Sequence, residues 1–239
     1  MLAALAAACV KSDGGAADST RETTKRAASP AGSVRAADSG NGAARADDDR
    51  PTVVFVGTSL TAGLGLSDPD DAYPALIQRK IDSLDLNYRV VNAGVSGETS
   101  AGALKSIGWL MRSPASVVVI ETGANDGLRG LSVAALRTNL QGMIDTVRAE
   151  HPDARIVLAG MEAPPNLGSS YTSAFRAVFP ELARANRAAL IPFLLDGVAG
   201  VDSLNQADGI HPNPEGAERV ADNVWKVLRP VLEEKAEGN

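Results

Sequence analysis

The sequence predicts an α/β fold, a three-layer α/β/α sandwich in which residues 51–235 form a five-stranded parallel sheet of order 2-1-3-4-5 with helices on both faces. Short runs rich in Val, Ile and Leu alternate with segments of helical periodicity, which is the pattern of parallel strands joined by crossover helices. The runs are uninterrupted, as expected of strands buried on both faces. Polar and loop-forming residues follow several runs, and open sheets of this kind bind ligands beyond the carboxyl ends of their strands.

The predicted elements alternate regularly along the chain. The strands are residues 52–57, 88–93, 116–122, 155–159 and 190–195, and the helices are residues 73–84, 99–110, 133–150, 173–187 and a terminal helix from Pro214. Ser132 and Asn213 are the predicted N-caps of the third and last helices. A sheet of order 2-1-3-4-5 is that of the flavodoxin-like folds.

Three of the helices show a clear apolar face, which predicts the side that each buries against the sheet. The predicted buried residues are Leu76, Ile77, Ile81 and Leu84 in the first helix, Val133, Leu136, Leu140, Met143, Ile144 and Val147 in the third, and Val220, Val224, Val227 and Leu228 in the last. His151 follows the third helix. We expect it to be an exposed charge on the helix dipole with no chemical role.

The first fifty residues differ in composition from the rest of the chain. Residues 10–50 contain few bulky apolar side chains and cannot offset the entropy of ordering, so they are predicted to be a disordered linker. The first fifty residues hold seven basic and seven acidic side chains, so the net charge of -6 falls on the folded part. An acidic domain argues against a nucleic-acid partner. No apolar stretch is long enough to span a bilayer.

Cys9 is the only cysteine, so no intramolecular disulfide can form. It follows the short apolar run of residues 2–8, and this arrangement resembles the lipobox at which bacterial lipoproteins are cleaved and lipidated. The segment lacks a basic start and has Ala6 where Leu is usual. We interpret residues 1–9 as a truncated lipoprotein signal segment with Cys9 as the lipidation site, which predicts an exported bacterial protein that is periplasmic or anchored to the membrane. The alternative is a plain Ala-rich tail.

Four segments bring chemically useful groups to the predicted carboxyl edge of the sheet. Ser59 follows the first strand, and Gly97 lies in the loop after the second, where glycine lets the backbone approach a ligand. Asn125 follows the third strand and can donate from its amide. Asp208 precedes His211 by three residues, and Gly209 permits a turn through which the carboxylate reaches Nδ1. Taken singly, each segment also fits an ordinary turn, cap or loop.

Taken together, these residues supply every group that ester hydrolysis needs. Ser59 is the candidate nucleophile, His211 the general base and then acid, and Asp208 the group that holds the histidine tautomer. The candidate oxyanion donors are the backbone amides of Ser59 and Gly97 and the side chain of Asn125. The sequence contains no metal-ligand cluster or phosphate-binding loop motif, so we expect no metal and no cofactor.

The same segments resemble the four sequence blocks of the GDSL, or SGNH, hydrolase family. The matching segments are residues 57–60, residues 95–100, residues 123–126 and residues 208–212, in the family's order and spacing. The resemblance implies that Ser59, Gly97, Asn125 and His211 are the four residues that name the family and that Asp208 is the triad acid. Residues 127–130 and 165–171 are most similar to the bacterial thioesterase I, protease I and lysophospholipase L1 group and related arylesterases.

The resemblance implies a serine esterase that acts on small carboxylic esters through an acyl-enzyme. An arylesterase is expected, with acyl-CoA thioesterase and lysophospholipase activity as further expectations, and the protein is expected to be a monomer. Two alternatives stay open, a carbohydrate acetylesterase or acyltransferase of the same superfamily and a flavodoxin-like binding module without chemistry. Thr58 stands where the family has Asp. We expect Thr58 to make a short turn hydrogen bond and to affect the support of the nucleophile turn.

Overall fold

The computed structural model describes residues 49–236. In chain order its strands are β1 (Thr52–Gly57), β2 (Arg89–Gly94), β3 (Val117–Ile120), β4 (Arg155–Ala159) and β5 (Ala189–Ile191), and its helices are α1 (Ser59–Ala62), α2 (Tyr73–Ser83), α3 (Ser100–Leu110), α4 (Ala124–Leu128), α5 (Val133–Glu150), α6 (Ser169–Ala185) and α7 (Pro214–Ala236). Short 3-10 helices at Pro69–Asp71, Pro165–Leu167 and Asp202–Leu204 lie in the connections. The predicted signal segment with Cys9, and all but the end of the predicted linker, lie outside the described residues.

The five strands form one parallel sheet in the order β2-β1-β3-β4-β5, which confirms the predicted topology. All residues of β1 and β3 are buried, as their uninterrupted apolar sequences predict. In the sheet register, Val56 of β1 pairs with Ala93 of β2 and with Ile120 of β3. The segments that follow these three strands therefore leave the sheet at the same level of its carboxyl edge.

The helices form two packed groups. α2 contacts α7, while α3 contacts α5 and α5 contacts α6. In a right-handed crossover, the direction of the step along the sheet decides which face the connecting helix covers. The step from β1 to β2 runs in one direction, and the later steps to β3, β4 and β5 run in the other. The two helix groups therefore cover opposite faces of the sheet. The predicted interior residues of α5 from Leu136 to Val147 are fully buried. The described residues include no helix with both the length and the apolarity to cross a membrane.

Several predicted details are wrong at the ends of elements. Leu84 is 44% exposed because α2 ends at Ser83, which leaves Leu84 in the cap rather than on the buried face. His151 is half-buried rather than an exposed charge, and its Nε2 donates to the Met111 carbonyl at 2.9 Å. The imidazole therefore links the end of α5 to the end of α3 and remains remote from the edge that holds Ser59.

The short helices α1 and α4 and an early start of α6 were not expected from the sequence. A helix of four or five residues is too short to show helical periodicity, so the segments after β1 and β3 read as loops. β3 ends at Ile120, two residues earlier than predicted, and β5 is limited to Ala189–Ile191. α6 begins at Ser169, directly after a 3-10 helix, and so shortens the predicted loop of residues 161–171.

Candidate active site

Ser59 is presented by a sharp transition from strand to helix. β1 ends at Gly57, Thr58 is extended, and Ser59 is the first residue of α1. A Cβ at Gly57 would lie 1.9 Å from the hydroxyl oxygen of Thr61, so only glycine allows the helix to turn back this closely on the strand. The serine is 8% exposed, and its side chain faces the loop that carries His211.

Asp208 and His211 are joined by the tight turn that the sequence predicts. Gly209 has a φ of +74°, a backbone conformation that favours glycine. Oδ1 of Asp208 accepts the backbone N–H groups of Ile210 and His211 at 3.0 Å each, and Oδ2 lies 2.7 Å from His211 Nδ1. These bonds, above all the one from the imidazole, lower the pKa of Asp208 to about 2. The aspartate is therefore ionised at neutral pH and acts only as an acceptor.

A continuous hydrogen-bonded chain runs from the serine to the aspartate. Because the Asp208 carboxylate can only accept, His211 Nδ1 carries a hydrogen and the neutral ring has an acceptor at Nε2. Ser59 Oγ lies 2.8 Å from that Nε2 and donates to it. The hydroxyl, the imidazole and the carboxylate thus have the geometry in which an imidazole can remove the serine proton.

Gln206 ties the histidine loop to the loop that follows Ser59. Its backbone N–H donates to the His211 carbonyl at 2.8 Å, and its side-chain amide donates to the carbonyls of Leu64 at 2.7 Å and Pro212 at 2.9 Å. The segment before α7 is thereby held against the segment after α1. This cross-link brings Ser59 and His211 together although 152 positions separate them in the chain.

Gly97 and Asn125 lie side by side at the same cavity as Ser59. Asn125 is on α4, and its Nδ2 donates one hydrogen to the Glu98 carbonyl at 3.0 Å, which leaves the second hydrogen for another acceptor. Gly97 has a φ of +79°, and its carbonyl accepts from Arg129 at 3.0 Å. In the turns, loops and caps of residues 49–236, neither the Ser59 N–H nor the Gly97 N–H donates to a backbone carbonyl. Three donors are therefore available for an oxyanion.

Asp126 fixes the segment that carries Gly97, a contact that sequence reasoning missed. Its carboxylate accepts the backbone N–H of Ser100 at 2.8 Å and the hydroxyl of Ser100 at 2.5 Å, and Asn139 donates to that hydroxyl at 2.9 Å. The bonds join the start of α4 to the start of α3. Neighbouring residues of one short helix thus hold the Gly97 loop at two points.

Glu121 is the second group that the sequence did not single out. It follows β3, is fully buried, and accepts from both the backbone N–H and the hydroxyl of Thr58. The Thr58 side chain therefore bonds to a carboxylate that follows β3 instead of to its own turn, contrary to expectation. Burial raises the pKa of Glu121 to about 7, while the bonds from Thr58 and Thr61 act in the opposite direction. The sequence feature that could have pointed to Glu121 is its position as a charged residue directly after the apolar run of residues 117–120.

A cavity of about 540 Å³ opens beside the serine. Leu64, Leu128 and Ile210 line it, and each is at least 46% exposed, so its walls are largely apolar and open to solvent. Residues 161–165 form another wall, as expected for part of the loop after β4. The volume lies in the range of small-molecule sites. Within residues 49–236, no group of three or more His, Cys, Asp or Glu side chains could hold a metal ion.

An open parallel sheet with a Ser-His-Asp chain at its carboxyl edge is the arrangement of α/β serine hydrolases. The model of the GDSL-like lipase/acylhydrolase family matches residues 55–219, and the chain belongs to this family, whose members are carboxylic ester hydrolases.

The relatives support the same assignment. The chain is 44% identical over 182 residues to the esterase TesA of Pseudomonas aeruginosa, covering 76% of this chain and 89% of that protein. It is 35% identical over 182 residues to thioesterase 1/protease 1/lysophospholipase L1 of Escherichia coli K12, covering 76% and 85%. The solved structure of a psychrotrophic Pseudoalteromonas esterase, EstA, inhibited by monoethylphosphonate, matches with a TM-score of 0.71 at 33% identity, covering 76% of this chain and 98% of the other.

Proposed function

We propose that the protein is a serine esterase that hydrolyses carboxylic esters through an acyl-enzyme, with Ser59 as nucleophile, His211 as general base and Asp208 as its orienting carboxylate. The observation that carries the proposal is the chain of two short bonds, 2.8 Å from Ser59 to His211 and 2.7 Å from His211 to Asp208, at the wall of an apolar cavity. Membership of a family of ester hydrolases supports it.

The reaction proceeds in two matched steps. Ser59 Oγ attacks the ester carbonyl while its proton passes to His211 Nε2, and the oxyanion binds to the Ser59 and Gly97 amides and the free Asn125 hydrogen. The intermediate collapses as the C–O bond to the leaving group breaks and Nε2 gives that oxygen its proton. Water then attacks the acyl-enzyme, with Nε2 again taking a proton and returning it to Ser59.

The cavity indicates substrates with an apolar acyl group. Leu64, Leu128 and Ile210 provide exposed apolar surface next to the nucleophile, and burial of an acyl chain against such surface contributes about 0.8 kcal/mol for each CH₂. The names of the relatives include an esterase, a thioesterase and a lysophospholipase. We infer that aryl esters are substrates and that acyl-CoA and lysophospholipid are candidate substrates of the same site.

A substrate panel tests this proposal. We expect turnover of p-nitrophenyl acetate and butyrate that disappears in the Ser59→Ala variant. Acyl-CoA, lysophospholipid and acetylated sugars, measured alongside, separate an esterase and thioesterase from a carbohydrate acetylesterase. Turnover of acetylated sugars alone would contradict the proposal, and so would an ester turnover that persists in the serine variant.

Asn125→Ala should weaken the oxyanion site without affecting the nucleophile. The change removes a donor whose orientation the Glu98 carbonyl holds, and loss of one such donor costs about 2.7 to 4 kcal/mol, or roughly 10²- to 10³-fold in kcat. Steady-state kinetics with p-nitrophenyl butyrate measure it, and KM should change little. Asn186→Ala, which removes a side chain that bonds to Gln141 away from the cavity, is the matched control. An Asn125→Ala variant with near-normal kcat would remove Asn125 from the oxyanion site.

We also propose export with lipid attachment at Cys9, which the composition of residues 1–9 supports. Cell fractionation of the full chain and of Cys9→Ala checks this. Membrane association that is unchanged in the variant would contradict it.

A further inference from the structure

A buried carboxylate lies directly behind the nucleophile, and the mechanism above does not use it. Glu121 is 0% exposed, and a charge without partners in the interior is strongly destabilising. A buried carboxylate is retained when hydrogen bonds satisfy its oxygens. The identity of its donors therefore indicates which part of the structure Glu121 supports.

All donors bonded to the Glu121 side chain within residues 49–236 belong to the segment that carries Ser59. Oε2 accepts the Thr58 N–H at 2.8 Å and the Thr61 hydroxyl at 2.8 Å, and Oε1 accepts the Thr58 hydroxyl at 3.0 Å. Tyr73 OH lies 2.6 Å from Thr61 Oγ1 and donates to it, because the Thr61 proton is directed at Glu121. The carboxylate thus holds a residue on each side of the nucleophile.

The surrounding packing leaves this segment little freedom to move. A Cβ at Gly57 would lie 2.7 Å from Glu121 Oε2, and one at Gly94 would lie 2.3 Å from the backbone nitrogen of Ala62. Asn92 Nδ2 donates to the Thr61 carbonyl at 2.8 Å. The ends of β1, β2 and β3 therefore enclose α1, with Glu121 as the polar contact from β3.

We propose that Glu121 is a positioning residue, which through Thr58 and Thr61 holds the Ser59 turn so that Oγ stays within 2.8 Å of His211 Nε2. The inference rests on the proposed function. Thr58 donates both its backbone N–H and its hydroxyl to Glu121. An aspartate there would bring a second carboxylate within about 3 Å of Glu121, and one of the two would have to hold a proton.

Replacement of Glu121 by leucine and by glutamine separates positioning from a purely structural role. Leucine removes the acceptors, and displacement of a nucleophile by about 1 Å costs roughly 10²-fold, so we expect a 10- to 100-fold lower kcat for p-nitrophenyl butyrate with KM within about threefold. In Glu121→Gln the amide oxygen accepts from Thr58 N–H and Thr61, while the amide nitrogen donates to Thr58 Oγ1. We expect this variant to keep kcat within about fivefold of the unmodified protein.

Asn186→Ala is the matched control for loss of a buried polar group. Asn186 is 8% exposed, bonds to Gln141, and lies before β5 at the amino end of the sheet. We expect the Asn186→Ala variant to have a lower Tm and an unchanged kcat. A folded Glu121→Leu variant with normal kcat, or a glutamine variant as impaired as the leucine variant, overturns the inference. If Glu121→Leu does not fold, Thr58→Val provides the test, with a roughly tenfold lower kcat expected and a kcat within about twofold of the unmodified protein overturning the inference.

Labelling of Ser59 with a fluorophosphonate, followed as a rate, distinguishes failure of this inference from failure of the proposed function. We expect the leucine variant to be labelled 10- to 100-fold more slowly than the unmodified protein. If the unmodified protein is labelled but hydrolyses no ester, the esterase proposal fails, and equal labelling rates in the two proteins then overturn the role of Glu121. A protein with neither turnover nor labelling overturns both.

Discussion

Ser59→Ala is expected to lower kcat for p-nitrophenyl butyrate by about 10⁵- to 10⁶-fold, because without the hydroxyl no acyl-enzyme forms. The donors of the oxyanion site remain, so a small rate above that of the uncatalysed reaction should persist. The fold should not change, because within residues 49–236 the hydroxyl of Ser59 bonds to His211 Nε2 alone. Steady-state kinetics and Tm, measured on the same preparations, check both expectations.

Ser83→Ala provides the control for loss of a serine hydroxyl. Ser83 lies at the end of α2, is exposed, and donates to the Lys80 carbonyl at 2.8 Å. We expect normal kcat in this variant. A Ser59→Ala protein that keeps more than about one hundredth of the activity would contradict the role of Ser59 as nucleophile.

His211→Ala is expected to have an effect of the same size, about 10⁵- to 10⁶-fold in kcat, because the serine then has no base to accept its proton. KM should change little, since the apolar walls of the cavity are retained. Activity is measured with p-nitrophenyl butyrate at several pH values, so that reaction with hydroxide at high pH is recognised.

His151→Ala is the matched control, because the chain contains two histidines. His151 Nε2 donates to the Met111 carbonyl, so its loss should lower Tm without lowering kcat. If His151→Ala abolished turnover and His211→Ala did not, the proposed assignment of the base would be wrong.

The sheet could be predicted because each central strand corresponds to a continuous apolar run that is visible in the local sequence. The apolar runs of β1 and β3 can only be central strands, and the right-handed crossover rule then restricts the order of the sheet. The contact between Asp208 and His211 is also local, since three positions and a glycine turn join the two residues. The approach of Ser59 to His211 followed from a different argument, the position of both segments at one edge of the sheet and their resemblance to a known family.

The environment of the nucleophile turn was not predictable in the same way. Glu121 bonds to Thr58 across 63 positions of the chain, and the contact depends on the register of β1 against β3, which no local pattern encodes. The short helix α4 likewise lacks periodicity, so the bond from Asn125 to Glu98 could not be foreseen from sequence. Long-range contacts between loop residues were the part that required coordinates.

Covalent labelling with a fluorophosphonate, followed by mass mapping of the modified peptide, tests the central claim most directly. The arrangement of Ser59, His211 and Asp208 requires a single adduct on Ser59, no adduct in Ser59→Ala, and much slower labelling in His211→Ala. An adduct on a different residue, or ester turnover by a protein whose Ser59 does not react, would contradict the account.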